Sequence, residues 1–238
     1  MGSAAYEAFY TSWHMKTFTH CFPQASHRFA CTIIIALSLA QTALAAEESW
    51  VSLFNGKDLD GWEQKNGLAK YSAEDGCIVG KSVPNSPNSF LCTKKDYADF
   101  ELEFEVKVDA ALNSGVQIRS HSLPTYQNGR VHGYQVEIAV NGFSGGIYDE
   151  ARRGKFLNAP DKPTAEIQQL VKDNQWAKYR VVCLGDHIQT WIDGVKVTDL
   201  HDAMTKDGFI GLQVHGVGDR QDPLFVRWRN LRLRELKP

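Results

Sequence analysis

Beyond residue 50 the chain alternates apolar and polar residues with a period of two, the signature of strands that bury one face. Phe100–Val108 alternates without a fault: Phe100, Leu102, Phe104, Val106 and Val108 on one side, Glu101, Glu103, Glu105 and Lys107 on the other. Further strands are predicted over 179–184, 187–192, 195–198 and 226–234. Ile192-Asp193-Gly194-Val195 predicts a two-residue hairpin, because Asp-Gly accepts the positive φ angles of a type I′ turn. Helical periodicity is confined to Thr164–Leu170. Many short antiparallel strands with glycine-rich turns predict an all-β, two-sheet antiparallel sandwich or jelly roll.

Three predicted strands carry an unusual polar ladder. In 115–121 it is Gln117, Arg119 and His121; in 134–138 it is Gln135 and Glu137; in 210–215 it is Gln213 and His215. Exposed strand faces ordinarily carry Thr, Lys, Glu and Ser. If these three strands share a sheet, its outer face can hold a sugar and move a proton. The segment Asn141–Pro160 reads as a long connection, and segments of that length in compact domains are usually functional or disordered. It carries Tyr148, Asp149, Glu150, Arg152 and Arg153, with Phe143, Ile147, Phe156 and Leu157 to pin it as a rim to the polar face.

The first 46 residues differ in texture. Thr32–Ala40 is a short apolar run preceded by Lys16 and Arg28 and followed by Ala43-Leu44-Ala45, the layout of a cleavable export signal too short to span a bilayer. Residues 1–14 read as an over-called start, with Met15 as the biological one. Residues 47–238 then form one domain, exported to the periplasm or the medium, and no lipid-anchor cysteine follows the apolar run. Export removes Cys21 and Cys31 and leaves Cys77, Cys92 and Cys183; a Cys77–Cys92 bridge across a hairpin is one reading, and Cys183 reads as a buried apolar residue. A formal charge of −2 points to neither nucleic acid nor an anionic membrane surface as partner.

Several stretches together resemble the 3-keto-disaccharide hydrolase family. They are Trp50-Val51-Ser52-Leu53-Phe54-Asn55-Gly56-Lys57-Asp58-Leu59-Asp60-Gly61-Trp62, Asn113–Arg119, Gly133–Ile138, Gly145–Asp149, Gly211–His215 and Val226–Leu231, in order over residues 50–236. The resemblance implies a concanavalin-A-like lectin/glucanase sandwich with a ligand groove on one sheet. It also implies a saccharide whose C3 hydroxyl a separate sugar 3-oxidase has already converted to a ketone. The two-carboxylate strand of laminarinase-type glycosidases on that fold is missing. Glu101, Glu103 and Glu105 lie roughly 6.5–7 Å apart along one strand, whereas a retaining pair needs about 5–5.5 Å across a sugar ring.

A C3 ketone acidifies the C2 proton, and the group on C1 can then leave by elimination before water adds back. Such chemistry needs a base near C2, a donor or cation on the enolate oxygen, and an acid for the leaving group. His215 is the first candidate for the base, Arg119 for the fixed cation, and Glu137 either orients His215 or is itself the base. Gln117, Gln135, Gln213, Tyr148, Asp149, Arg152 and Arg153 are the candidate substrate-binding residues, with Tyr148 and Asp149 also the candidates to protonate the leaving group. The bland alternatives are a loop-bonded His215, an Arg119–Glu137 cross-strand ion pair and solvated charges at Arg152 and Arg153. No cofactor is required; a divalent cation on Glu137, His215 and Asp149 is the alternative enolate stabiliser. A non-catalytic lectin-like module on the same fold is the rival to an enzyme.

Overall fold

In the computed structural model the residues described are 49–158 and 165–237. The predicted export signal, residues 1–46, lies outside them, as does the end of the 141–160 segment. The strands are β1 (Val51–Ser52), β2 (Trp62–Lys65), β3 (Lys70–Glu74), β4 (Cys77–Lys81), β5 (Ser89–Asp96), β6 (Phe100–Val108) and β7 (Ser114–His121). They continue with β8 (His132–Ile138), β9 (Ile147–Glu150), β10 (Ala177–Leu184), β11 (His187–Ile192), β12 (Val195–His201), β13 (Phe209–Val214) and β14 (Phe225–Glu235). The one described helix, α1 (Ala165–Leu170), falls where the helical periodicity placed it. No described helix is long and apolar enough to cross a membrane.

Two antiparallel sheets face each other. One has eight strands in the order β12-β11-β10-β6-β14-β4-β3 with β1 beside β14; the other has six in the order β2-β5-β13-β7-β8-β9. The fold is the predicted all-β sandwich. The core lies between the sheets: Phe100, Leu102, Phe104, Val106 and Val108 of β6 meet Val116, Ile118, Tyr134, Val136, Ile210 and Leu212 of the facing sheet. Each such side chain contributes about 1.5–3 kcal/mol by leaving water. The Asp193-Gly194 turn forms as expected, with φ of 47° and 83°.

The outer face of the eight-stranded sheet is an ion-pair ladder. Glu101 lies between Arg180 and Arg234, Glu103 accepts from Arg232 and Lys178, and Glu105 from Arg229 and Asn230. The three glutamates are therefore structural, though paired rather than merely solvated.

The opening phrase 50–62 is a latch between the sheets. Asn55 Oδ1 accepts from the amides of Lys57 and Asp58, at 2.8 and 3.0 Å, folding a tight turn with Gly56 at φ 79°. Trp62 Nε1 then donates to Leu53 O at 2.8 Å, carrying the chain from β1 in one sheet to β2 in the other.

Two expectations change. Cys77 lies in β4 and Cys92 in β5, strands of opposite sheets, and both thiols are free; the loop between them crosses the sandwich rather than closing a hairpin. Cys183 is fully buried as expected. The segment 141–158 is not a plain loop, because Ile147–Glu150 adds to β8 as the edge strand β9.

Candidate active site

The three ladder strands do share a sheet: β13, β7 and β8 are consecutive neighbours. Val116, Ile118, Tyr134, Val136, Ile210 and Leu212 point into the core, so Gln117, Gln135, Glu137 and Gln213 face outward. β9 continues the face with Tyr148 and Glu150. Together with the loops they form a cleft of about 460 Å³ lined by Gln135, Glu137, Tyr148, Glu150 and His215, with Asn88, Asn113 and Arg130 above the floor and Phe143 and Phe156 as one wall. Those two rings stack at 5.0 Å, and Tyr148 meets Phe156 edge-on at 5.3 Å. A second hollow of about 560 Å³ shares Asn88, Arg130 and Glu150 and extends the cleft past Asn66, Gln127 and Asn128. A hollow of similar size on the opposite sheet, lined by Trp50, Glu103, Lys178 and Arg232, has its charges already paired, which leaves little chemistry to offer.

Glu137 is the centre of the cleft. It is only 5% exposed. Its Oε1 accepts from Asn113 Nδ2 and its Oε2 from Gln135 Nε2 at 3.1 Å. Burial pushes its pKa up to about 7, against the pull of the two amide donors, and the nearby Glu150 pushes the same way. Glu150 is itself raised, chiefly by burial, and is held back by Arg130 and His215. Arg130 Nη2 stands 3.9 Å from Glu150 Oε1.

Gln117 and Gln213 are fully buried and face Gln135 rather than a ligand. Both donate to Gln135 Oε1 at 2.7 Å, and Ser120 Oγ donates to Gln117 Oε1 at 2.8 Å. Gln135 is thereby oriented with its amide nitrogen toward Glu137. Gly115, directly across from Glu137 on β7, makes room for this: a Cβ there would sit 2.5 Å from Gln135 Cγ and Cδ.

His215 lines the cleft and is exposed, with Nδ1 2.8 Å from Gly216 O. Nε2 is the nitrogen left for a ligand.

Arg119 is not in the cleft. The register slips by one residue between Ile118 and His121 against β8 and between Gln117 and Ser120 against β13, and Arg119 takes φ 46°. This bulge turns its side chain off the ladder. The guanidinium is fully buried, donating to Ala98 O (2.7 Å), Gly185 O (2.7 Å) and Asp99 Oδ1 (2.8 Å). It is paired with Asp99, not with Glu137.

Asp149, Arg152 and Arg153 are likewise consumed elsewhere. Strand alternation puts Asp149 on the side opposite Tyr148 and Glu150, where its buried carboxylate accepts from Arg152 Nε (2.6 Å) and from Arg153 Nε. Arg153 Nη1 also meets Asp202 Oδ2 at 2.7 Å, and Arg152 stacks over the Tyr134 ring at 4.7 Å. Asp202 is held down at about 2: burial pushes it up, but the hydrogen bonds from Arg153 and Tyr134 outweigh it. Asp149 therefore cannot join Glu137 and His215 around a cation. His121 and His132 stay outside the cleft, His132 packed on Tyr126 at 3.9 Å.

Asn88, Asn113, Arg130, Asn141 and Glu150 were not singled out by strand patterning as site residues. For Glu150 a signal existed, since it shares the period-two phase of Tyr148. The others come from loops, where no periodicity marks which way a side chain points.

The sequence profile of the 3-keto-alpha-glucoside-1,2-lyase-like domain matches residues 49–234. No curated protein matches the chain. Among solved structures, a Parabacteroides distasonis protein provisionally assigned as a glycosyl hydrolase is 18% identical with a TM-score of 0.58, covering 80% of this chain and 95% of its own. The carbohydrate-binding module CBM66 of Bacillus subtilis is 17% identical, TM-score 0.55, covering 74% and 96%. The Bacillus licheniformis beta-glucanase is 12% identical, TM-score 0.55, covering 79% and 98%. At these identities the likeness is one of fold: a jelly-roll sandwich of the concanavalin-A-like kind.

Proposed function

Because the chain belongs to the 3-keto-alpha-glucoside-1,2-lyase-like domain family, we propose that the Glu137 cleft binds a 3-keto-glycoside and breaks its C1–O bond by elimination, followed by hydration. The observation that carries this reading is the buried carboxyl of Glu137, fixed by Asn113 and Gln135, whose pKa of about 7 lets it take and return a proton at neutral pH.

In the first step a base removes the C2 proton, the electron pair passes through the enolate, and the C1–O bond breaks as the leaving oxygen gains a proton. In the second, water adds across C1=C2 and gives the free 3-keto-sugar. Glu137 is the base. Glu150, whose burial favours the protonated carboxyl, gives the proton to the leaving oxygen, and His215 Nε2, left with its lone pair by the Nδ1 contact to Gly216 O, accepts from a sugar hydroxyl. Arg130 takes the role of the fixed cation in place of the buried Arg119, since it is the guanidinium that lines the cleft. The Phe143–Phe156 wall offers an apolar surface to a sugar ring.

The ketone at C3 must be supplied by a separate sugar 3-oxidase. With residues 1–46 read as an export signal, that chemistry runs in the periplasm or outside the cell.

Aglycone release from a chromogenic 3-keto-glucoside, set beside the unoxidised glucoside, tests the proposal. Turnover of the keto sugar alone is expected. Turnover of neither, with either sugar still bound, would replace the enzyme by a lectin-like module.

A further inference from the structure

Among the described residues one group of metal-ligating side chains converges, and it lies on the sheet opposite the cleft. The ligand atoms of His187, Asp199 and His201 all lie within 4.8 Å of one another. The register explains why. His187 stands directly across from His201 in the β11–β12 pair, and Asp199 is two residues from His201 on the same face. The two imidazoles stack at 4.2 Å with planes 7° apart.

The outer partners of His201 and Asp199 are already in place, while the parallel stack means that His187 turns about its Cβ–Cγ bond to bring its lone pair onto a shared ion. Asp186 Oδ1 accepts from His201 Nδ1 at 3.0 Å, which fixes the ring and leaves Nε2 with its lone pair free. Asp199 Oδ2 accepts from Lys196 Nζ at 2.6 Å and Gln189 Nε2 at 3.0 Å, leaving Oδ1 turned to His187 Nε2 at 2.6 Å. Outer carboxylate and amide partners that orient imidazole and carboxylate ligands are the usual surroundings of a protein-bound ion.

We propose that His187, Asp199 and His201 bind Zn²⁺, with water completing the shell. Two imidazoles and one carboxylate oxygen suit Zn²⁺, and imidazole ligands disfavour Ca²⁺ and Mg²⁺. The ion replaces the proton between His187 Nε2 and Asp199 Oδ1, which moves to His187 Nδ1 or to solvent. Bound there, it clips β11 to the edge strand β12. The inner face of that hairpin carries Thr198, whose hydroxyl donates to Gly145 O at 2.8 Å and accepts from Asn158 Nδ2 at 2.7 Å. The ion thus braces the segment that holds Phe143, Tyr148 and Phe156 over the cleft.

Calorimetric titration of the full, untagged chain with ZnCl2, CaCl2 and MgCl2 tests the site. Expected are saturable Zn²⁺ binding with a rise in melting temperature, no response to the other two ions, and about tenfold or greater weakening in His187→Ala and in His201→Ala. Asp186→Asn is expected to weaken binding about tenfold through loss of the outer carboxylate, and His215→Ala to leave it unchanged. These residues are at the surface, and circular dichroism of each variant checks that it folds. Absence of saturable Zn²⁺ binding, or affinity unchanged in both His187→Ala and His201→Ala, would overturn the proposal.

Discussion

Gln135 donates to Glu137 Oε2 at 3.1 Å while its own carbonyl oxygen accepts from Gln117 and Gln213. A run of amides therefore dictates which atom of Gln135 meets the buried carboxyl. Gly115→Ala disturbs that contact without touching Glu137, because the new Cβ lands on Gln135. Gly115 has no positive φ among the glycines that do, so the effect is one of space and not of backbone strain. The expected result is about a tenfold or larger loss of kcat on a 3-keto-glucoside, with a smaller change in KM, read from steady-state kinetics.

Glu137 also makes stability depend on pH. Its folded pKa of about 7 lies above the ordinary glutamate value of 4.5. The stability it contributes as a neutral acid is complete below about 4.5 and is lost as pH rises through 7, where a buried charge must form. The difference across that window is on the order of 3 kcal/mol. Melting curves of wild type and Glu137→Gln from pH 4.5 to 8.5 should show the wild type losing stability relative to the variant as pH rises. Parallel curves would refute the shift.

Arg119→Ala separates a structural arginine from a catalytic one. Removing the guanidinium leaves Asp99 without its partner and two carbonyls, Ala98 O and Gly185 O, without their donor. Breaking such a buried pair costs about 3–5 kcal/mol, visible as a lower urea midpoint. Turnover per folded molecule is expected to stay within about twofold. A variant of unchanged stability and abolished turnover would return Arg119 to the site.

Asp149→Asn should behave in the same way. The buried carboxylate faces both Arg152 and Arg153, so the loss leaves two guanidinium groups underpaired and costs about 3 kcal/mol or more. Thermal unfolding reads the loss, and KM is expected to change little.

Alternation made the sandwich legible, because a strand that buries one face writes its period into the sequence. It placed Gln117, Gln135, Glu137 and Gln213 on one face correctly. It misplaced Arg119 because a bulge inserts one residue, and nothing in Gln117-Ile118-Arg119-Ser120-His121 marks the slip. Reading 141–160 as a loop hid β9. As a strand it would have put Tyr148 with Glu150 and set Asp149 on the opposite side. Burial of Gln117 and Gln213 was also invisible, since period two assigns a face but not what covers it. Asn113 and Arg130 reach the cleft from turns, whose path depends on tertiary packing.

Deprotonation at C2 by Glu137 is the central step, and hydrogen exchange observes it directly. A 3-keto-glucoside incubated with the protein in D2O is followed by proton NMR at C2. Wild type is expected to give substrate or product carrying deuterium at C2, while Glu137→Gln gives none above the uncatalysed rate. Exchange or cleavage undiminished in Glu137→Gln would contradict the assignment of Glu137 as the base.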